Sequence, residues 1–496
     1  MPKALTTRAK ALALATTASM ALSGCAATGL GGSVPSAGTP ITTSEAQQGA
    51  EAHPQILAEF GGEVSGPAAT YVEGIGKNIA VRSGLGGARD SFNVSFLNSS
   101  VNNAFAVPGG YIYVTRQLAA LMNNEAEMAA VLGHEVGHVA ARHSQRRQAN
   151  AQQNSLLGAI GAILTGVVLG DSSIAQGLQR TFLQGSQLLT LKFSRSQELE
   201  ADQLGIQYLN SAGYDPKAMS TLLASLAAQN TLDARLQGRD SAQVPAWAST
   251  HPDPASRVSR ASQLAAGGTG TINRDTYLTR MDGIIYGDDP QQGVIEGRQF
   301  IHPDLRLSFT APSGFYMVNG TRAVTINGQS GQAQFSTGQY NGNLETYARQ
   351  VFQAIGGNQQ NIQPSSLQRT TINGIPAVIG QARVAQQNGS VDVTVVAYEF
   401  SNNQAYHFAA LTRAGGANVF NPMFQSMRKI STQEAANVVP RRLDVVTAGS
   451  SDTIQTLARR MAYSDAQVER FMVLNGLSSS ERIQPGQKYK VVVRSR

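Results

Sequence analysis

The sequence predicts a multidomain protein: a mostly helical α+β unit with a small edge-stranded sheet, then an α+β sandwich, then a small basic module. Three observations carry this reading. At 496 residues the chain exceeds what one ordinary core supports. Its apolar periodicity is largely helical up to a boundary at 285–300 and alternating from there to about residue 413. The segment from 442 onward is short and basic, with nine Lys/Arg (Arg442, Arg459, Arg460, Arg470, Arg482, Lys488, Lys490, Arg494, Arg496) against five acids.

Apolar content of 42% with 6% aromatics and 50 glycines suits globular domains joined by flexible segments. Net charge is +7, of which Lys3, Arg8 and Lys10 supply three before any acid occurs, leaving +4 for the rest. That balance is too mild to argue for nucleic acid. The single cysteine, Cys25, excludes an intrachain disulfide. Residues 1–24 read as a signal peptide, with a basic start and an apolar stretch over 11–22 that is too short to span a bilayer. Leu22-Ser23-Gly24-Cys25 resembles the bacterial lipobox, which implies a lipidated Cys25, and Ala26 after it implies the outer membrane. Residues 25–50, rich in Gly, Ser, Thr and Ala with Pro35 and Pro40, read as a flexible tether, with structure starting near His53-Pro54.

The first folded unit is expected over 51–290. A helix is predicted over 67–82 and a strand over 92–96. In the stretch 103–114, Pro108, Gly109 and Gly110 confine the chain to a sheet edge or a turn between strands. An edge strand there can bind an extended peptide by strand addition. Asn124 is the expected N-cap of the next helix, with Glu125 and Glu127 in its first turn. That helix carries His134-Glu135-Val136-Gly137-His138. His143, five residues beyond His138, would be rotated roughly 140° from the His138 face, so it reads as structural or solvated. The apolar, glycine-interrupted run 155–170 reads as a buried or lid-like helix. Ser194 to Asp202 opens another helix, one more follows over 217–229, and a loop with His251-Pro252 leads into a short helix containing Arg257. The sandwich is expected over 291–431, with strands at 305–309, 377–384 and 391–400 and a helix at 344–355. His302 and His407 within it read as structural. A linker at 432–441 and the basic module at 442–494 complete the chain.

The chemistry gathers around His134–His138. Positions i and i+4 stand one above the other on a helix, so both imidazoles can reach one tetrahedral zinc while Glu135 addresses a water on it. With seven histidines in the chain, this motif arises by chance in on the order of one such sequence in a few hundred. A catalytic zinc needs a third protein ligand from a facing element. Glu198 is the best candidate, because Asp202 at i+4 can accept the outer N–H of a ligand histidine, and Gly205 lets the two helices pack closely. Zinc would acidify the water and polarise a scissile carbonyl, with Glu135 as general base. His251 and Arg257 are candidates to stabilise the oxyanion.

With these residues assembled, the chain resembles, over about 51–265, the zinc metallopeptidase family of HtpX, the CAAX prenyl proteases, Oma-type proteases and BepA. Four blocks carry the resemblance: Asn103-Ala104-Phe105-Ala106-Val107-Pro108-Gly109-Gly110, His134–His138, Ser194 to Asp202, and His251-Pro252 followed by Arg257. It implies a gluzincin-type zincin fold, one Zn2+ per chain on His134, His138 and Glu198, and Asp202 as the partner behind the ligands. It also implies a substrate cleft lined by the 103–113 strand, through Asn103, Ala104, Phe105, Pro108, Gly109 and Gly110. Within the family, a histidine at the His251 position either closes zinc's open position or helps stabilise the oxyanion beside an arginine at the Arg257 position, and both roles stay open. The chain departs from other members in lacking a helical-repeat tail or transmembrane helices. Beyond 442, Val446-Thr447-Ala448-Gly449, Asp452-Thr453-Ile454, Leu474-Asn475-Gly476-Leu477 and Ile483-Gln484-Pro485-Gly486 resemble a LysM module, implying a βααβ fold and binding to peptidoglycan. Ser450-Ser451 lengthens that module's usual turn. The middle domain is weakly similar to PsbP/Mog-like sandwiches, which implies no particular chemistry.

The expected function is a zinc metalloendopeptidase, lipid-anchored on the periplasmic face of the outer membrane, acting on misfolded or misassembled envelope proteins. The alternative is an envelope assembly or chaperone-like factor whose zinc site is self-inhibited by His251. A peptidoglycan hydrolase is supported only by the LysM-like tail.

Overall fold

The computed structural model describes residues 38–146, 193–236, 251, 254–356, 361–386 and 389–495. The leader 1–24, Cys25 and the run 155–170 lie outside the described residues.

Ordered structure starts earlier than expected. Helix α1 spans Thr43–Glu59, beginning inside the segment read as tether. A capping box starts it: the Thr42 hydroxyl accepts from Glu45 N, and the Glu45 carboxylate accepts from Thr42 N at 2.8 Å. The glycine content there serves packing rather than flexibility. A Cβ on Gly49 would come within 2.5 Å of the Pro108 carbonyl, so only glycine lets α1 lie this close to the chain at 108–111. The helix buries Ile56, followed by Phe60, against Leu97 and Tyr113.

Helix α2 (Pro67–Ala80) opens with proline in its first turn, where no N–H is missed, and buries Val72, Ile75 and Ile79. Strand β1 (Asn93–Leu97) runs parallel to β3 (Tyr111–Thr115), and β2 (Ala104–Val107) pairs antiparallel with β3, giving the order β1-β3-β2. Gly109 and Gly110 turn the chain between β2 and β3 at φ of 96° and 83°, so the 103–113 segment is a hairpin with β2 alone at the edge. The far edge, at β1, is covered by the Glu63–Leu97 bridge and the Val64 N–H to Phe96 carbonyl bond.

Short α3 (Arg116–Leu121) leads to α4 (Glu125–Ala140), the central helix, in which every residue except Val139 is buried. Asn124 caps it, accepting from Glu127 N at 2.9 Å. Helix α5 (Arg195–Ala212) begins with a Ser194–Gln197 capping box and stops at Gly213 in the left-handed region. The α4 and α5 backbones nearly touch. A Cβ on Gly205 would stand 3.1 Å from His134 N, and one on Gly137 would stand 3.1 Å from the Ala201 carbonyl. Helices α6 (Ala218–Leu236), α7 (Pro254–Leu264) and α8 (Arg274–Met281) complete this unit.

After β4 (Ile285–Tyr286), the chain builds two sheets. The smaller contains β5 (Val294–Glu296), β6 (Gln299–His302), β7 (Leu307–Thr310) and, last in the chain, β15 (Arg428–Lys429). The larger contains β8 (Tyr316–Asn319), β9 (Ala323–Gly328), β10 (Gly331–Thr337), β11 (Ser366–Ile372), β12 (Ile375–Gln386), β13 (Gly389–Ser401) and β14 (Gln404–Arg413). Val396, Tyr398 and Phe408 face the smaller sheet, while Val393, Val395 and Ala397 face Tyr347 and Phe352 of α9 (Leu344–Gly356). Burial on both faces explains why β13 is almost continuously apolar. Helix α10 (Asn421–Ser426) closes the smaller sheet's side.

The expected 432–441 linker is partly structured. Helix α11 (Thr432–Ala436) starts with a Ser431–Glu434 capping box, and β16 (Arg441–Thr447) follows. Helices α12 (Ile454–Ala458) and α13 (Gln467–Leu474) then precede β17 (Lys488–Arg494), which pairs antiparallel with β16. This βααβ unit is fused to the first one. Strand β4 adds to β16, and Leu443, Leu457, Phe471 and Val491 share one core with Val72, Met122 and Leu226. Lys490 is fully buried at the junction, donating to the carbonyls of Ala120, Leu121 and Met122 at 2.9, 3.1 and 2.7 Å, with Glu127 supplying negative charge. Among the described residues, no helix is long and apolar enough to cross a membrane.

Candidate metal centre

Helices α4 and α5 bring three of the expected donors together, and His251 arrives as a fourth. His134 Nε2 stands 3.0 Å from His138 Nε2, 3.5 Å from Glu198 Oε2 and 3.3 Å from His251 Nδ1. Glu198 Oε1 lies 3.4 Å from His138 Nε2 and 3.1 Å from His251 Nδ1. All four residues are buried. A tetrahedron of ligands held about 2.0–2.2 Å from zinc has edges of about 3.3–3.6 Å, so these separations fit that ion. Two imidazole Nε2 atoms facing each other beside a carboxylate, out of water, converge lone pairs that a cation satisfies. The donor set, nitrogen and oxygen with no sulfur, also suits zinc.

Behind the donors stands a second layer of polar groups. His134 Nδ1 is 3.0 Å from Asp202 Oδ1, the contact expected of a residue that fixes a ligand's tautomer. Arg257 is 1% exposed and engages Asp202 through Nε and Nη2 at 2.8 and 2.5 Å and Glu198 through Nη1 at 2.5 Å. Expected as an oxyanion partner, it sits instead behind the donors, where it holds the two carboxylates. Burial alone would raise both carboxyls. For Glu198 the charges and hydrogen bonds of His251, His134 and His138 outweigh it, and for Asp202 those of Arg257 and His134 do, so both lie below the usual carboxylate range. For Glu135 burial outweighs the charges of His251 and Arg257 and raises its carboxyl to about 8. Its Oε1 is buried with no hydrogen-bond partner among the described residues, 3.5 Å from His251 Nε2.

His143 is structural and outside the donor set, as expected, but its ring is not turned away from His138. Helix α4 ends at Ala140, and Arg142 takes the left-handed φ of 52°, so rotation extrapolated along a continuing helix does not apply. The turn folds His143 back, fully buried, with Nδ1 2.8 Å from His138 Nδ1 and Nε2 3.1 Å from Glu200 Oε2.

A groove opens beside the donors. Asn103, Phe105, Ala106, Val107 and Pro108 line one side, and Glu135, His138, Val139 and Phe193 the other. Of the expected cleft residues, Asn103, Phe105 and Pro108 reach the groove. Ala104 is buried in the core, while Gly109 and Gly110 form the turn and pack on the backbone at Glu45 and Ser91. Glu45 and Arg142 close one end, paired at 3.2 Å. Neither was singled out from the sequence. The only signal was the capping box, Thr42 to Glu45, hidden in a stretch that reads as tether.

A glutamate-bearing helix with paired imidazoles, a carboxylate from a crossing helix and an adjacent edge strand defines a metallopeptidase-type site. Residues 68–265 match the profile of peptidase family M48, and the chain carries an M48 domain over that segment. The beta-barrel assembly-enhancing protease of Escherichia coli O157:H7 is 32% identical over 234 residues, covering 46% of each chain. The Yersinia pestis protein of the same name is 34% identical over 198 residues, 39% of this chain and 38% of that one. Mitochondrial metalloendopeptidase OMA1 of Schizosaccharomyces pombe is 30% identical over 219 residues, 43% of this chain and 59% of its own. The matched region spans about half the length of these relatives. A solved PsbP from Synechocystis overlaps 26% of this chain and 91% of its own at TM-score 0.22 and 9% identity, which assigns nothing to the sandwich.

Proposed function

We propose that this chain is a zinc-dependent endopeptidase that hydrolyses peptide bonds in misfolded or misassembled envelope proteins in the periplasm. The observation that carries this reading is the convergence of His134, His138 and Glu198 beside Glu135, at the floor of a groove walled by the β2 edge. Zinc held by the three donors supplies a Lewis acid that acidifies water and polarises the scissile carbonyl. The unpaired N–H and C=O groups of β2 take an extended peptide as a further strand, which lays its carbonyls across the groove. Glu135 accepts the attacking water's proton at Oε1 and passes it to the leaving amine. Burial makes it a stronger base, once ionised, than a surface glutamate. Asp202 and Arg257 keep the ligand side chains oriented and Glu198 ionised.

His251 supports a resting state that is closed, since its Nδ1 takes the fourth donor corner that a water needs. That observation also favours the second reading, an assembly factor in which proteolysis is normally silent. A lipid on Cys25 would hold the enzyme to the outer membrane, and the βααβ unit would bind peptidoglycan through its exposed loops at 449–453 and 478–487. The sandwich is assigned a PsbP/Mog-like fold on its sequence pattern.

Glu135→Gln tests the core of this proposal. Cleavage of unfolded casein should fall by about 10²–10⁴-fold, the share a positioned general base contributes. Equal rates for the variant and the parent would sink the assignment.

A further inference from the structure

We propose that His143 and Glu200 form a positioning relay that fixes the tautomer and orientation of His138. This inference rests on the reading that a metal is held by His138 Nε2. Two imidazole Nδ1 atoms 2.8 Å apart can share only one proton, so one ring donates and the other accepts. A metal on His138 Nε2 uses that atom's lone pair, which leaves the neutral ring's proton on Nδ1 and makes His138 the donor. His143 Nδ1 must then accept, and its own proton moves to Nε2. There it meets Glu200 Oε2 at 3.1 Å, an oxygen that can only accept when ionised.

The opposite polarity is incompatible with a metal at one end and unfavourable at the other. It would place a proton on His138 Nε2, pointing into the donor cluster 3.0 Å from His134 Nε2. It would also turn the bare His143 Nε2 towards a carboxylate. With a metal on His138 Nε2, only one direction satisfies every atom of the relay.

The surroundings hold the relay in place. Gln197, from the first turn of α5, donates to the His143 carbonyl at 3.1 Å. Arg146 pairs with Glu200 at 3.0 Å and keeps it charged at the half-exposed end. Phe193 stacks on the His138 ring at 3.8 Å between centroids, which limits its rotation. The two ligand histidines are therefore oriented by different means. His134 addresses a carboxylate, Asp202, directly, whereas His138 addresses one through a second imidazole.

Zinc affinity of the purified full chain, measured by competition with a chromogenic chelator, reads this relay independently of proteolysis. His143→Leu should weaken zinc about 10- to 100-fold, the usual cost of losing a partner behind a metal ligand. His143→Asn places an amide oxygen near the lost Nδ1 and should recover most of that loss. Glu200→Ala, on a half-exposed helix surface, should fold normally and show a smaller loss. Unchanged affinity in either His143→Leu or Glu200→Ala overturns the relay, as does an asparagine variant no better than leucine, which marks a packing role alone. A parent chain that binds no zinc overturns the metal site itself, a result distinct from these.

Discussion

His251 touches three groups that a working site needs free. Its Nδ1 approaches Glu198 and His134, and its Nε2 approaches Glu135, the general base of the proposed reaction. As a fourth ligand in the proposed closed state, it would compete with both water and substrate. His251→Ala should therefore raise cleavage of an unfolded protein, on the order of tenfold or more, the scale of typical coupling between two states of a site. A fall in rate would instead make His251 an aid to catalysis. His134, Glu135 and His138 were legible because helical spacing alone places them, and Glu198 because Asp202 marks the same face. His143 was not, since its position depends on the left-handed turn at Arg142, and an arginine gives no sequence sign of adopting one.

The site is built from two helices rather than from loops, and its precision comes from how closely they approach. Glycines at 133, 137 and 205 let the α4 and α5 backbones pass with no side chain between them. Gly205→Val would press methyl groups against His134 N and the Gly133 carbonyl carbon, at 3.1 and 3.3 Å even for Cβ alone. The expected cost is about 1–3 kcal/mol of stability, with weaker zinc binding as Glu198 moves away from the histidines. Thermal unfolding and chelator competition check both, and a variant indistinguishable from the parent would show that the close crossing is not needed. Gly205 could be read from sequence because it lies on the helix face of Asp202. The glycine of α1 could not, since a packing glycine and a tether glycine look alike until the partner backbone is known. The sandwich strands β12 and β13 were legible through their β-branched runs, whereas α11 sits in a polar stretch too short to show a period.

At the scale of the whole molecule, the C-terminal unit is a fixed part of the unit that carries the metal donors rather than a module on a string. Its Lys490 reads in sequence as one more basic surface residue of an alternating strand, and nothing local marks it as buried. The reason lies 370 residues earlier, where the end of α3 presents three carbonyls to its ammonium and Glu127, in the first turn of the metal helix, supplies the counter-charge. Glu127 is itself tied to Asn123 N and the Thr221 hydroxyl, each at 2.8 Å. Removing the ammonium leaves three buried carbonyls without their donor and takes a nearby positive charge from Glu127, at a cost of about 1–3 kcal/mol. Lys490→Met should therefore lower the unfolding temperature of the peptidase unit and weaken zinc retention, although residue 490 touches none of the metal donors. Adding Glu127→Gln removes the stranded charge and should recover part of the loss. Differential scanning calorimetry of the parent, the single and the double variant decides it. If Lys490→Met melts with the parent, the C-terminal unit does not brace the helix that carries the metal.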